Sequence, residues 1–202
     1  IRCIFTTDED LMEAPMEIIG GGALYFINDA NRLFINDCEF TSLTARAGGA
    51  IYVEGDLNYA LINSSYFMYN KATTNQSNYG GGAIDVEGNA EYLFVTESTF
   101  GYNTASTAGG AIMLKSNNDL LAFFKSTFDA NYAPYAGAIF LGNTEELLIY
   151  ESNFTNSKGT GSDIIGGGAL YVLGNLTSAY VAHSLFENNS ARAGGAIFVE
   201  GI

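Results

Sequence analysis

The chain has 202 residues, a net charge of −14 with only 8 Lys and Arg, 24 glycines, 2 prolines and no tryptophan. So acidic a chain, with its charges scattered, is repelled by nucleic acid and by anionic membranes, which argues against both as partners. No initiator Met, signal peptide or transmembrane run stands in it, which in an apparent excerpt says little about targeting; no direct membrane insertion is expected of this segment.

In chain order, the first element is Ile1-Arg-Cys-Ile-Phe5, which reads as the second strand of a coil already under way. Next comes a Gly-Ala-aliphatic triplet that recurs along the whole chain, with alanines at Ala23, Ala50, Ala83, Ala111, Ala138, Ala169 and Ala196. Their spacings are 27, 33, 28, 27, 31 and 27 residues. A fixed period of this size marks a solenoid. From each alanine to the next phenylalanine (Phe40, Phe67, Phe100, Phe128, Phe154, Phe186) the gap is 16 or 17 residues; from phenylalanine to the following alanine it varies from 10 to 16. One arc of the coil is fixed and the other accepts insertions, as a surface turn does at small entropic cost.

The fixed arc alternates with period two, which places aliphatics inside and a mixed position outside. That mixed position holds Tyr25, Tyr52, Asp85, Met113, Phe140, Tyr171 and Phe198. Tyr25, Tyr52, Phe140, Tyr171 and Phe198 therefore predict an outward aromatic wall, suited to ring stacking along a rod or to contact with protein or glycan. A second strand ends at each phenylalanine. Two residues before it runs a ladder of small side chains: Cys3, Cys38, Ser65, Ser98, Ser126, Ser152 and Ser184. Three residues after it stands Asn70, Asn103, Asn131 or Asn189, a residue that tolerates left-handed backbone and bonds a neighbouring coil. The period-two apolar positions and a Gly-Gly in six of the seven coils argue against a helical repeat. The fold expected is all-β: a single-stranded parallel β-helix of about seven coils with two or three short strands each, one continuous unit over residues 1–202. Stacked at the strand spacing, seven coils make a rod of roughly 35 Å.

A longer period overlies the coil. Ile18–Tyr25 recurs letter for letter as Ile164–Tyr171, and Ala45–Gly55 recurs as Ala191–Gly201 with one change, Tyr52 to Phe198. Both offsets are 146 residues, which is five coils. With both ends cutting a coil open, the segment reads as an excerpt of a longer array, or as a unit whose ends stack on other copies.

Few residues offer chemistry. The one histidine, His183, adjoins Ser184 on a strand, where neighbours face opposite ways and form no nucleophile–base pair. No cofactor motif and no metal-ligand spacing occurs. The acids Glu54, Glu87 and Glu200, with Asp85 nearby, offer a cation-binding reading without an EF-hand or nonapeptide pattern to support it. Sequons at Asn63, Asn75, Asn153, Asn175 and Asn188 are candidate N-glycosylation sites, and so candidates for covalent glycans. Cys3 and Cys38 share a coil position in consecutive coils, close enough in register for a disulfide.

The pairing of Gly-Gly-Ala-Ile/Leu with Phe-x-x-Asn (Phe67–Asn70, Phe100–Asn103, Phe128–Asn131, Phe186–Asn189) resembles the repeats of the polymorphic outer-membrane protein family. Ala136 stands where the first glycine is usual, and Leu43 and Ser157 where the asparagine is. The resemblance implies a right-handed β-helix at a cell surface, acting as an adhesin or a structural rod. The function expected is an extracellular, non-enzymatic rod that builds a fibre, stalk or coat by end-to-end or lateral self-association. The alternative is an adhesin that uses the aromatic wall and the insertions at residues 6–20, 71–80 and 156–166.

Overall fold

The computed structural model describes residues 3–6, 20–74, 76, 79–161 and 166–201. Among them the regular elements are all strands, and every strand pairing is parallel. Each coil visits four walls. The first wall runs from Leu24–Phe26 to Ile197–Val199 and carries the residues after each alanine. The second runs from Leu33–Asn36 to Leu176–Ala182, and the third from Cys3–Thr6 to Leu185–Glu187. A fourth, of two-residue strands, runs from Thr44–Ala45 to Lys158–Gly159. Seven first-wall strands bound six complete turns, close to the coil count expected.

The strand expected before each phenylalanine is two strands on two walls. The break is a left-handed residue three before the phenylalanine: Asp37, Ser64, Glu97, Lys125, Glu151 and His183, with φ from 48° to 54°. It turns the chain so that Ile62 of the second wall and Phe67 of the third both face the interior, each at most 1% exposed. A second left-handed corner follows two residues after the phenylalanine, at Ser42, Tyr69, Tyr102, Ala130, Asn156 and Asn188. For a non-glycine residue this backbone costs about 1–2 kcal/mol. The asparagine expected to adopt it is the next residue along.

That asparagine is buried and bonds the coils together. Asn103 Oδ1 accepts the Asn70 N–H at 2.9 Å, and Asn103 Nδ2 donates to the Phe67 carbonyl at 2.8 Å. Asn131 does the same for Asn103 and Phe100. The departures obey the same logic. Ser157 Oγ accepts the Asn131 N–H at 3.3 Å, and Leu43, which has no polar side chain, still donates its N–H to Asn70 Oδ1 at 3.1 Å. Serine makes a parallel ladder: Ser98 Oγ accepts the Ser65 N–H at 3.0 Å and donates to the Thr96 carbonyl at 2.8 Å. Between the two polar ladders stack the phenylalanines. Phe40, Phe67, Phe100, Phe128 and Phe154 follow one another with centroids 4.5–4.9 Å apart and planes within 7°.

These contacts give different costs to neighbouring positions. Phe100→Ala opens a cavity in the stack and is expected to lower stability by about 3–5 kcal/mol. Asn103→Ala strands the buried Asn70 N–H and Phe67 carbonyl, at about 2–5 kcal/mol in all. Ala130→Gly relieves a left-handed corner and should raise stability by up to about 1 kcal/mol. Denaturant unfolding of the three variants checks this order.

Candidate functional site

The aromatic wall is not outward. Tyr52, Phe140 and Tyr171 are 1%, 5% and 2% exposed, and Asp85 and Met113 are buried with them. The reason is the variable arc. After the fourth wall the chain folds back over the outer face of the first, and Ala108 and Ala136 from that arc close a second core with Met113, Phe140 and Tyr171. Tyr79 sets its ring edge against Tyr52 at 6.0 Å, and Tyr135 lies over Tyr171 at 6.4 Å. The glycine pair makes the fold-back fit. Gly81 is left-handed at φ 57°, and a Cβ on Gly82 would stand 2.6 Å from the Thr104 nitrogen. Tyr25 remains 38% exposed and Phe198 is half-buried.

The acids considered for a cation hold tyrosines. Tyr25 donates to Glu54 Oε2 at 2.6 Å, Tyr52 to Glu87 Oε2 at 2.8 Å, and Tyr171 to Glu200 Oε2, each across one coil step. The bond to Glu54, and then burial, push the Tyr25 hydroxyl up to about 12. Burial first, and the glutamate second, raise Tyr52 and Tyr171 above the ordinary tyrosine range. Among the described residues no three His, Cys, Asp or Glu side chains come together to hold a metal.

Asp85 interrupts this ladder. It is fully buried; Oδ2 accepts the Gly80 N–H at 2.9 Å, while Oδ1 has no partner. Burial raises its pKa from the ordinary 3.8 to about 7; Glu87 adds to the rise, and the Gly80 bond and Lys115 oppose it.

The open aromatic face lies instead on the second wall. In register along it run Phe34, Leu61, Phe94, Ala122, Leu148 and Tyr180, six residues before each phenylalanine. Phe34 and Tyr180, on the two end strands of this wall, are 63% and 55% exposed, the four residues between them are half-buried, and Tyr92 beside the row is 42% exposed. At the corner, Lys125 sits 5.1 Å over the Phe124 ring and 3.8 Å from Glu151. Period-two alternation carried one residue back from the inward aliphatics would have found this row.

The sequons occupy different surroundings. Asn153 and Asn175 are exposed, and Asn188 is exposed at a left-handed corner. Asn63 is half-buried with its side chain engaged: Nδ2 donates to Asn36 Oδ1 at 2.7 Å, and Oδ1 accepts from Thr96 at 2.6 Å. Asn75 lies outside the described residues, as does most of the insertion at 6–20. Cys3 and Cys38 pair in register but are free thiols. Parallel neighbours point the same way, and Cys38 Sγ donates to the Asn36 carbonyl, the bond that Ser65 makes to Asn63. Burial, with Cys3 beside it, raises the Cys38 thiol. His183 is an exposed corner whose ring meets Tyr150 edge-on at 5.3 Å.

Two family models match the chain. That described as a right-handed beta helix region matches residues 16–177, and that of the Chlamydia polymorphic membrane protein repeat matches residues 183–200. No curated protein and no solved structure matches it. Among the described residues no helix is long and apolar enough to cross a membrane.

The buried acid gives a testable pH dependence. Below about pH 4 Asp85 is protonated whether the chain is folded or not. As pH rises towards 7 the unfolded chain ionises it first, so stability is lost through that window and stays lost above it. Asp85→Met, which extends the Met113 packing, is expected to add about 2–4 kcal/mol at pH 8 and to leave stability at pH 4 little changed. Denaturant titrations of both proteins across pH 4–8 measure the difference, in which the other acids cancel.

Proposed function

The chain belongs to the right-handed β-helix family, and from that premise we propose that it is the rigid rod of an extracellular or cell-surface protein, without catalytic activity. The observation that carries this is the run of phenylalanine, serine and asparagine ladders from coil to coil. Such a stack specifies length and stiffness. The residues that could do chemistry are engaged elsewhere: the serines donate within the ladder, and the His183 ring meets Tyr150 edge-on. The polymorphic membrane protein repeat at residues 183–200 supports surface display. One coil interface repeats along the rod, and the same stacking would serve end-to-end association of copies into a fibre, stalk or coat.

A second reading, adhesion, is favoured by the exposed aromatic row of the second wall. Phe34, Tyr92 and Tyr180 replace the buried first-wall aromatics as its contact residues. Covalent glycans, in a secretory pathway that adds them, would go to Asn153, Asn175 and Asn188.

Protease treatment of intact cells carrying the full-length protein is expected to release peptides from this segment; complete protection until lysis would contradict surface display. On expression through a eukaryotic secretory pathway, peptide mass mapping should find glycan at Asn153, Asn175 or Asn188 and none at Asn63. The triple variant Phe34→Ser, Tyr92→Ser, Tyr180→Ser separates the readings: loss of cell attachment at unchanged fold would favour adhesion over a spacer.

A further inference from the structure

Over six coils the second wall turns two neighbouring rows of side chains outward. One is the row from Phe34 to Tyr180. Two residues further along each strand stand Asn36, Asn63, Thr96, Phe124, Tyr150 and Ala182, again in register. None of these twelve residues is charged, in a chain with 22 Asp and Glu and 8 Lys and Arg. The third wall turns Thr99, Thr127 and Asn153 outward instead. Rings on the second wall are set against one another: Phe34 and Phe94 each lie 5.7 Å from Tyr59, and Phe124 stacks on Tyr150 at 5.5 Å. Tyr92 and Phe124, on interior strands, are exposed. At strand spacings the face covers roughly 600 Å², and an exposed apolar patch of that size marks an interaction surface.

The two rows complement each other in size. Phe34, Leu61, Phe94 and Tyr180 stand beside the smaller Asn36, Asn63, Thr96 and Ala182, whereas Ala122 stands beside Phe124; only Leu148 and Tyr150 are both large. A two-fold axis parallel to the rod, between the rows, sets each row of one copy against the other row of its mate, coil for coil. Large then meets small across the contact in five of the six coils.

We propose that two copies of this chain pair side by side, parallel, through these faces of their second walls. A pleated sheet face is flat, where a small ligand needs a concave pocket, and it matches another sheet packed about 10 Å away. The contact is isologous. The pair covers roughly 1,200 Å², above the ~1,000 Å² a specific interface needs. An uncharged centre has no charge for a foreign partner to complement. At the rim, the edge carrying Glu91, Asp119 and Glu145 of one copy comes opposite the corner carrying Glu97, Lys125 and Glu151 of the other, so like charges meet in two coils of these three. That rim stays solvated and its repulsion is screened by salt. The pairing rests on the rod reading for its purpose alone, as the lateral contact of a coat: a chain that never reaches a surface still pairs, and a chain that fails to pair is still a rod.

Sedimentation equilibrium of the intact chain tests it. A reversible dimer, twice the 21.5 kDa of one chain, is expected with Kd about 1–100 µM, at least threefold tighter at about 300 mM than at about 30 mM NaCl. Ala122→Arg and, separately, Thr96→Arg should weaken it at least tenfold at an unchanged circular dichroism spectrum, while Thr127→Arg on the third wall leaves it unchanged. With Cys3 and Cys38 replaced by Ser, a mixture of Phe94→Cys and Thr96→Cys chains should give mixed dimers with a short bismaleimide in excess over either homodimer. A monomer throughout, association undiminished by Ala122→Arg and Thr96→Arg, or homodimers in excess would each overturn the proposal. So would a monomer that binds maltohexaose and loses it with Ala122→Arg, which gives the face to adhesion.

Discussion

Everything in this fold depends on each coil finding the same side chain at the same place in the next. A solenoid coil turns corners, and each corner must still satisfy its backbone N–H and C=O groups. Here the left-handed residue keeps a backbone bond to the next coil, as Tyr69 N–H does to the Gly101 carbonyl, and a side chain supplies the partner for the N–H that follows it. Asn103 takes the Asn70 N–H and returns a proton to the Phe67 carbonyl, and Ser98 serves Ser65 likewise. Because each bond reaches one coil away, register and polar satisfaction are one constraint. Slip by a single residue and every buried amide is orphaned. The left-handed corners on either side of each phenylalanine, costly in isolation, persist because these ladders hold them.

The variable arc serves the same stacking from outside. Lengths from 10 to 16 residues between phenylalanine and alanine fit because the chain leaves the fourth wall, lies back over the first, and returns through glycine. What it covers becomes a second, thinner core of Met113, Phe140 and Tyr171, and along this face the Tyr52 and Tyr171 hydroxyls are tied to Glu87 and Glu200 one coil on. Asp85 is the one buried acid in that layer, and its burial sets it against ionisation there.

Much of this was legible in the sequence. The period, the in-register phenylalanines, the small-residue ladder and the glycine turns follow from spacing alone, because a repeated residue in a solenoid meets its own copies. Handedness came with the family. Three things were not legible. Alternation correctly put the residue after Ile51 on the outer face of its strand, but an outer face is solvent only if nothing lies over it, and no local pattern shows the arc folding back. The left-handed corners carry Glu97, Lys125 and Tyr102, residues with no left-handed preference, so coil geometry overrides propensity there. The first-to-second-wall ladder mixes Asp56, Asn89 and Asn117, and so hides from a search for identical letters.

The central claim is that side-chain ladders between coils, rather than loop backbone alone, hold the corners. Amide hydrogen exchange of the intact chain tests it most directly. The N–H groups of Asn70, Asn103 and Asn131 lie between strands, outside any regular element, yet they should exchange as slowly as those of the phenylalanine strands and open only with global unfolding. Exchange of these three at the rate of exposed loop amides would contradict the account.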